Sequence, residues 1–485
     1  MIAEMVAALP AAPIVVPLVT AILLLAGPRP RAQRLLGLAG SVVSLAAAAA
    51  LVAATRRGEV LPIQAGGWPA PYGITLVADA LAALMVLIAS LIGLVALLYT
   101  IGARRDDRFV HAGWQFLLAG INWAFLTGDI FNLYVAYEVM LVASYFLLTH
   151  GTSRAQAREA FTYVAINLVA SMFFLFAVAL TYSATGTLNM AHLAERVPAA
   201  PVAPVRAAAV LFFLAFGIKA AVFPLFFWLP HAYAIPRAGI AAFFGGLLTK
   251  VGVYSLFRVF TVVFPGQLDG VLLWVAAGTM LLGVLGALAQ DDIRRILSFH
   301  IISQVGYMVM GLGLASQLGV AGGLFYVLHH IVVKSGLILV GGAIEETHRT
   351  GRLDRLGGLA RTNGPLALVF LLCALSLAGV PPMSGFFAKL LLIRAGLEAG
   401  QPWIVAVSVL VSVLTLLSML KIYSGAFWGA GSPPRAPARL VAPAAALAAI
   451  TLLVGLGAQG LYGLASTAAG HLTAPAAYVS TVLRK

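Results

Sequence analysis

Eight side chains able to take up and release a proton lie inside long apolar runs of this sequence. Glu138 stands in 127–145, TGDIFNLYVAYEVMLVASY, between Asp129 and His150 and near the middle of a stretch long enough to cross a bilayer. Of the sixteen Asp and Glu residues, it alone lies deep in such a stretch. A carboxylate there is costly unless it is paired or wetted, so it needs a partner. Five lysines in other apolar runs are candidates: Lys219, Lys250, Lys334, Lys389 and Lys421. His330 and Lys334 are four residues apart and share a helical face, with His329 turned about 100° away. Imidazole titrates near neutral pH and burial disfavours a charged amine, so the set suits a proton relay.

The elements that must hold these groups are membrane helices. With 62% hydrophobic and 9% charged residues over 485 positions, the chain is an all-α polytopic membrane protein, and a soluble globule is excluded. Apolar windows predict about fourteen spans, near residues 9–27, 33–54, 76–101, 111–127, 129–150, 157–183, 206–230, 238–263, 270–289, 293–314, 318–344, 364–396, 403–428 and 440–465. The first reads as a retained span, since no signal-peptide cleavage pattern accompanies it. Two spans carry helix breakers at mid-depth: Pro224 in the seventh, and Gly379, Pro381, Pro382 and Gly385 in the twelfth. Proline removes a backbone donor, and a broken helix is tolerated in lipid only where protein or water satisfies the freed groups.

The breaks recur, and so do the lysines. Lys219 and Lys250 are 31 residues apart, Lys389 and Lys421 are 32 apart, and Tyr-Ser follows the second lysine of each pair at 254–255 and 423–424. A duplicated unit follows, spans 4–8 and 9–13. An odd number of helices per copy makes the two five-helix repeats inverted in the membrane, a transporter architecture. The expected division is scaffold helices in 1–110, a first repeat in 111–265, a second in 266–430, and helix 14 with a tail in 431–485. Asp79, at the outer start of the third span, is expected to be reached by water, which leaves the first three spans without buried charge.

Seventeen of the thirty basic residues fall on the side of the 28–34 connection and seven on the other. The first side is therefore cytoplasmic and both termini lie outside. The net charge of +14 belongs mostly to these anchors, not to a nucleic-acid surface. Cys373 stands alone, which excludes an internal disulfide and a Cys-ligated cluster. No phosphate loop, dinucleotide fingerprint, Cys/His metal spacing or nucleophile elbow occurs, so no metal or cofactor is expected and the driving energy must come from an ion gradient or a partner. Lys421, near the inner end of its span, reads equally as a relay member and as a snorkelling anchor. His150, His231 and His300 read as structural.

Several passages resemble one family: Phe131–Glu138 (FNLYVAYE), Ile218–Pro224 (IKAAVFP) with Trp228-Leu-Pro230, Asp291–Ser298 (DDIRRILS) with Gly306-Tyr307, and Gly379–Phe386 (GVPPMSGF) with Lys389. They are similar to the antiporter-like proton-translocating membrane subunits shared by respiratory complex I, membrane-bound hydrogenases and Mrp cation/proton antiporters. Within that family, 127–134 (TGDIFNLY), Tyr145 and 185–190 (TGTLNM) resemble the D-type subunit of Mrp antiporters. The resemblance implies fourteen helices with two inverted repeats. It implies Glu138 paired with Lys219, and a relay through Lys250 and the His329/His330/Lys334 helix to Lys389. It also implies sodium or another monovalent cation moving against protons, other membrane subunits (A, B, C, E, F and G type) as partners, and a bacterial or archaeal cell membrane. The alternative it leaves open is a proton-pumping subunit of a complex I-type oxidoreductase or hydrogenase.

Overall fold

A computed structural model describes residues 8–27, 29–151, 154–429 and 434–484. Of the counted basic anchors, the Arg154 side chain and Lys485 lie outside the described residues. Each predicted window is occupied by helix. In chain order these are α1 (Ala12–Leu25), α2 (Pro30–Thr55), α3 (Ala80–Gly102), α4 (Arg108–Leu126), α5 (Ile130–Thr149) and α6 (Arg154–Thr185). A short α7 (Met190–Arg196) precedes α8 (Val202–Ala220), α9 (Ala238–Val262), α10 (Asp269–Leu288), α11 (Ile293–Gly313) and α12 (Gln317–His348). Then follow α13 (Gly364–Ala378), α14 (Ser384–Glu398), α15 (Pro402–Phe427), α16 (Ala438–Leu456), α17 (Ala458–Thr473) and α18 (Ala476–Leu483). Among the described residues, eleven helices are long and apolar enough to cross a membrane by length and composition. The other predicted spans are covered by the shorter α1, by the more polar α4, and by α13 with α14 on either side of a break.

Two expectations change. The last predicted span, 440–465, is not one helix: α16 ends at Leu456, and Gly457 starts α17, which packs back on α12, α3 and α9. An antiparallel hairpin, β1 (Leu61–Gln64) with β2 (Thr75–Ala78), precedes α3, in register Leu61 with Ala78 and Gln64 with Thr75. Its Gly-rich tip exposes Trp68 and Tyr72. Gln64 Nε2 donates to the Val482 carbonyl, tying the hairpin to α18 at the far end of the sequence.

The core is a group of helices packed inside the others. The most apolar windows of α9 and α12 are wholly buried, and α11 nearly so. Helix α12 is the axis, touched by α3, α9, α11, α13, α14, α16 and α17. Lipid tails are as apolar as leucine, so close backbone approach has to supply the packing between such helices. Small residues permit it: a Cβ on Gly311 of α11 would lie 2.6 Å from the Cα of Gly323 on α12.

The connections assigned to one side by their arginines are tied together in the structure. Arg34 pairs with Asp106 (2.7 Å), His150 with Asp107 (2.8 Å) and Arg105 with Glu346 (3.5 Å), while Arg237 and Arg439 donate to the Arg105 and Gly102 carbonyls. Asp292 caps α11, accepting from the Arg294 and Arg295 amides. Burial opposes ionisation of Asp106, but hydrogen bonds from Arg34 and His111 and their charges outweigh it, holding its carboxyl below the ordinary range. This tie is complete above the ordinary carboxylate pKa and weakens as acid titrates the carboxyl.

The glycine contact gives a direct test. Gly311→Val drives a branched side chain into the α12 backbone, a cost of about 3 kcal/mol, and should lower the thermal midpoint of the purified protein; an unchanged midpoint means that backbone contact does not set the spacing here.

Candidate functional site

The first group of site residues is built on a broken helix. Helix α8 is closed by Ala221, a non-glycine residue held at φ +59°, and the next helical turn, Leu229–Ala232, follows only after a run of turns. Strained backbone of this kind persists only where its surroundings over-determine it. Here the Val222 amide bonds the Gly217 carbonyl (3.0 Å), Phe223 N donates to Thr279 Oγ1 of α10 (2.9 Å), and Trp228 Nε1 donates to the Ile218 carbonyl (3.0 Å). The indole of Trp228 thus replaces a helical donor at the break.

Lys219, in the last turn of α8, is buried. Its amine lies 3.4 Å from Ser171 Oγ of α6 and 4.9 Å from the ring centre of Tyr137 on α5. Tyr137 in turn bonds Ser255 of α9 through its hydroxyl (3.0 Å). Glu138 is the next residue, half-buried, and its Oε1 is buried without a hydrogen-bond partner among the described residues. Among the described residues no ion pair within 4.0 Å joins Glu138 to Lys219, yet the carboxylate is near enough for its charge to act on the amine. The pair is therefore adjacent but open, with the tyrosine face taking the cation. On its other side Glu138 borders a groove of about 580 Å³ walled by Phe109, Gly113, Phe116, Val142 and Phe146.

The central group lies on the buried helices. Residues 244–248 of α9 wind as a π turn, a feature that often marks functional sites. Lys250 follows it and donates to the Gly245 carbonyl (2.7 Å) and Thr249 Oγ1 (3.1 Å). Lys334 of α12 reaches the Leu297 carbonyl on α11 (3.2 Å). His330 lies within electrostatic reach of Lys250, Lys334, His329 and His300. It is fully buried, and among the described residues neither of its ring nitrogens has a hydrogen-bond partner. His329 points the other way: Nδ1 meets Ser384 Oγ of α14 (2.7 Å), and the ring borders a cavity of about 190 Å³ between α3, α12, α16 and α17.

The last group surrounds the second break. Helix α13 ends at Gly379 (φ +91°), and α14 restarts at Ser384. A Cβ on Gly385 would overlap the Ser376 carbonyl, so only glycine lets the two half-helices meet there. Lys389 reaches back from α14 to the Leu377 (3.1 Å) and Ala378 (2.8 Å) carbonyls, the negative end of α13, and lies 5.0 Å from the ring of Tyr307. The breaks at Ala221 and Gly379 are 158 residues apart, whereas Lys219 and Lys389 are 170 apart. One lysine therefore precedes its break and the other follows its own, so the lysine spacing does not mark equivalent positions. Lys421 stands apart from all of these: it is partly exposed, caps the end of α10 through the Leu288 and Gln290 carbonyls, and pairs with Asp291 (2.8 Å).

Sequence reasoning missed several close neighbours of the candidate residues. Tyr137 and Tyr307 receive the amines of Lys219 and Lys389. His300, expected to be structural, bonds Ser418 (2.9 Å) within reach of Lys334 and Lys389. Asp79 is not open to water: it is fully buried and grips Arg258 of α9 with both oxygens (2.6 and 2.8 Å). The available signal was Arg258 itself, a charge in an apolar run eight residues after Lys250, which has to find a counter-charge.

This arrangement has close relatives. A chain from Alkalihalophilus pseudofirmus, named as a Na(+)/H(+) antiporter subunit of the D type, is 46% identical over 435 residues, covering 87% of this chain and 88% of that one. A chain in the Mrp complex from Dietzia sp. superposes with a TM-score of 0.94 at 37% identity over 99% of both chains. One in respiratory complex I from Thermus thermophilus gives 0.83 at 27% identity over 97% of this chain and all of that one. Residues 127–415, which carry every candidate position but Lys421, match the family described as "NADH:quinone oxidoreductase/Mrp antiporter, TM", and the chain belongs to it.

Proposed function

We propose that this chain is the proton-translocating membrane subunit of a multisubunit monovalent cation/proton antiporter. It works beside other membrane subunits as a secondary transporter component and not as an enzyme. The observation that carries the reading is the open Glu138/Lys219 pair at a broken helix, continued inward by buried lysines and by imidazoles with unpartnered nitrogens. With the pair closed, the carboxylate favours the charged amine; with it open, desolvation favours the neutral one, and the proton moves toward Lys250. His330 and Lys334 receive it next, then His300 and His329, and Lys389 ends the line. Buried ring nitrogens are costly unless bonded, and a bridging water is the partner that fits between such groups. Sodium or another monovalent cation moves the opposite way.

The arginine-rich face is the cytoplasmic side of a bacterial or archaeal cell membrane, with both termini outside. The likeness to a complex I chain supports a second reading, a proton-pumping subunit of a redox enzyme; the higher identity and TM-score with the Mrp chain favour the first. Neighbouring subunits that carry redox centres would decide for the second.

Two experiments test the relay. Glu138→Gln or Lys219→Ala should cut cation-driven collapse of a pH gradient in everted vesicles by about a hundredfold, with the complex still assembled on a native gel; full activity in either variant removes the pair from the mechanism. Gly252→Ala probes position alone, since a Cβ there would meet Ala220 N at 2.6 Å and the Lys219 carbonyl carbon at 3.0 Å. Shifting the Lys219 backbone should cost about tenfold in antiport at normal complex levels, and undiminished transport would show that the amine's placement is not critical.

A further inference from the structure

Helix α9 carries three polar residues on one face at intervals of four: Lys250, Tyr254 and Arg258. Arg258 Nε donates to Tyr254 Oη (3.3 Å), and Tyr254 donates onward to the Phe125 carbonyl (2.7 Å). The guanidinium is enclosed by the rings of Tyr254 and Tyr478, 5.4 and 5.5 Å from its carbon, and by Asp79, whose Oδ1 also caps α3 through Ala82 N. The other titratable group acting on this pair is His471 of α17, and Asp129 lies beyond Tyr478. Those acting on Lys250 are Lys334 and His330 of α12. Nothing in this enclosure bears on proton transfer by touching Lys250; the link is charge along a shared helix.

We propose that Asp79 is a positioning residue for the relay: by cancelling the Arg258 charge it sets the pH at which Lys250 carries its proton. The two cations stand on the order of 12 Å apart along α9. At an effective dielectric near ~20, an uncancelled unit charge at that distance changes proton occupancy about tenfold, one pH unit. The sign is fixed. Removing the Asp79 charge leaves a cation that disfavours protonated Lys250 and moves the antiport profile to lower pH; removing the Arg258 charge leaves an anion that moves it to higher pH.

The inference rests on Lys250 belonging to the relay, so Lys250→Ala in the intact complex is measured first. Retained antiport there defeats the relay reading, and this inference with it. With antiport lost in Lys250→Ala, antiport against pH in everted vesicles is compared for three variants. Asp79→Asn should displace the profile down by up to about one unit and Arg258→Gln up by a similar amount, while the double variant should return it to the parent position. Should either single variant fail to assemble, His471→Arg adds a cation beside the intact pair and should shift the profile in the Asp79→Asn direction. Profiles that stay put, or that move the same way in both single variants, overturn the proposal; a merely structural pair lowers complex yield without opposite shifts.

Discussion

A protonated amine in the interior of a membrane has to be held by something, and what holds it decides whether it can let its proton go. A full carboxylate contact in low dielectric is a deep well. None of the four buried lysines of this chain has one within 4.0 Å among the described residues. Lys219 leans on a tyrosine face and a serine, Lys250 on the carbonyl of a π turn, Lys334 on one carbonyl of a neighbouring helix, and Lys389 on a helix C-terminus. Each holder is a dipole or a quadrupole, a weaker hold on a cation than a full opposite charge at contact. Small displacements can then change which form is favoured.

The two helix breaks supply much of this dipole chemistry and do so unequally. At the first, the lysine sits ahead of the break, and the side chains of Trp228 and Thr279 satisfy groups that the interruption frees. A carboxylate waits beside it. At the second, the lysine sits after the break and spends its own donors on the freed carbonyls of α13. Among the described residues no acid pairs with Lys389 there: Tyr307 is followed by Met308, whereas Tyr137 is followed by Glu138. The first lysine thus has a carboxylate beside it and the second a helix terminus, so the two breaks hold their cations by different means.

Much of this was legible before the structure. Length and hydropathy find helices, since a bilayer demands about twenty apolar residues of each span, and intramembrane charge finds candidates because it is expensive. Arginine asymmetry grouped the connections that the structure ties together through Arg34, Arg105, Arg237 and Arg439. What stayed hidden depends on side-chain direction across helices. The faces of Tyr137 and Tyr307 gain meaning only once a lysine stands above each ring, and His300 read as structural because its neighbours come from other helices. Asp79 misled for a plainer reason. It sits at a helix start, where an acid usually meets water, but the hairpin and the returning C-terminal helices cover that end.

That cover also separates two kinds of buried charge. Arg258 and Asp79 form a bidentate pair in which both oxygens and three guanidinium nitrogens are engaged, with rings on two sides. Breaking it would strand a charge at a cost of about 3–5 kcal/mol, so it stays ionised and still. Lys250, two turns away on the same helix, and Lys334 on its neighbour lack such partners, and among the described residues His330 beside them has neither ring nitrogen bonded. A proton path needs both: fixed charges that set a constant background potential, and loosely held ones that move against it. Had Asp79 stood near Lys250 instead of Arg258, the same two residues would have made a proton trap.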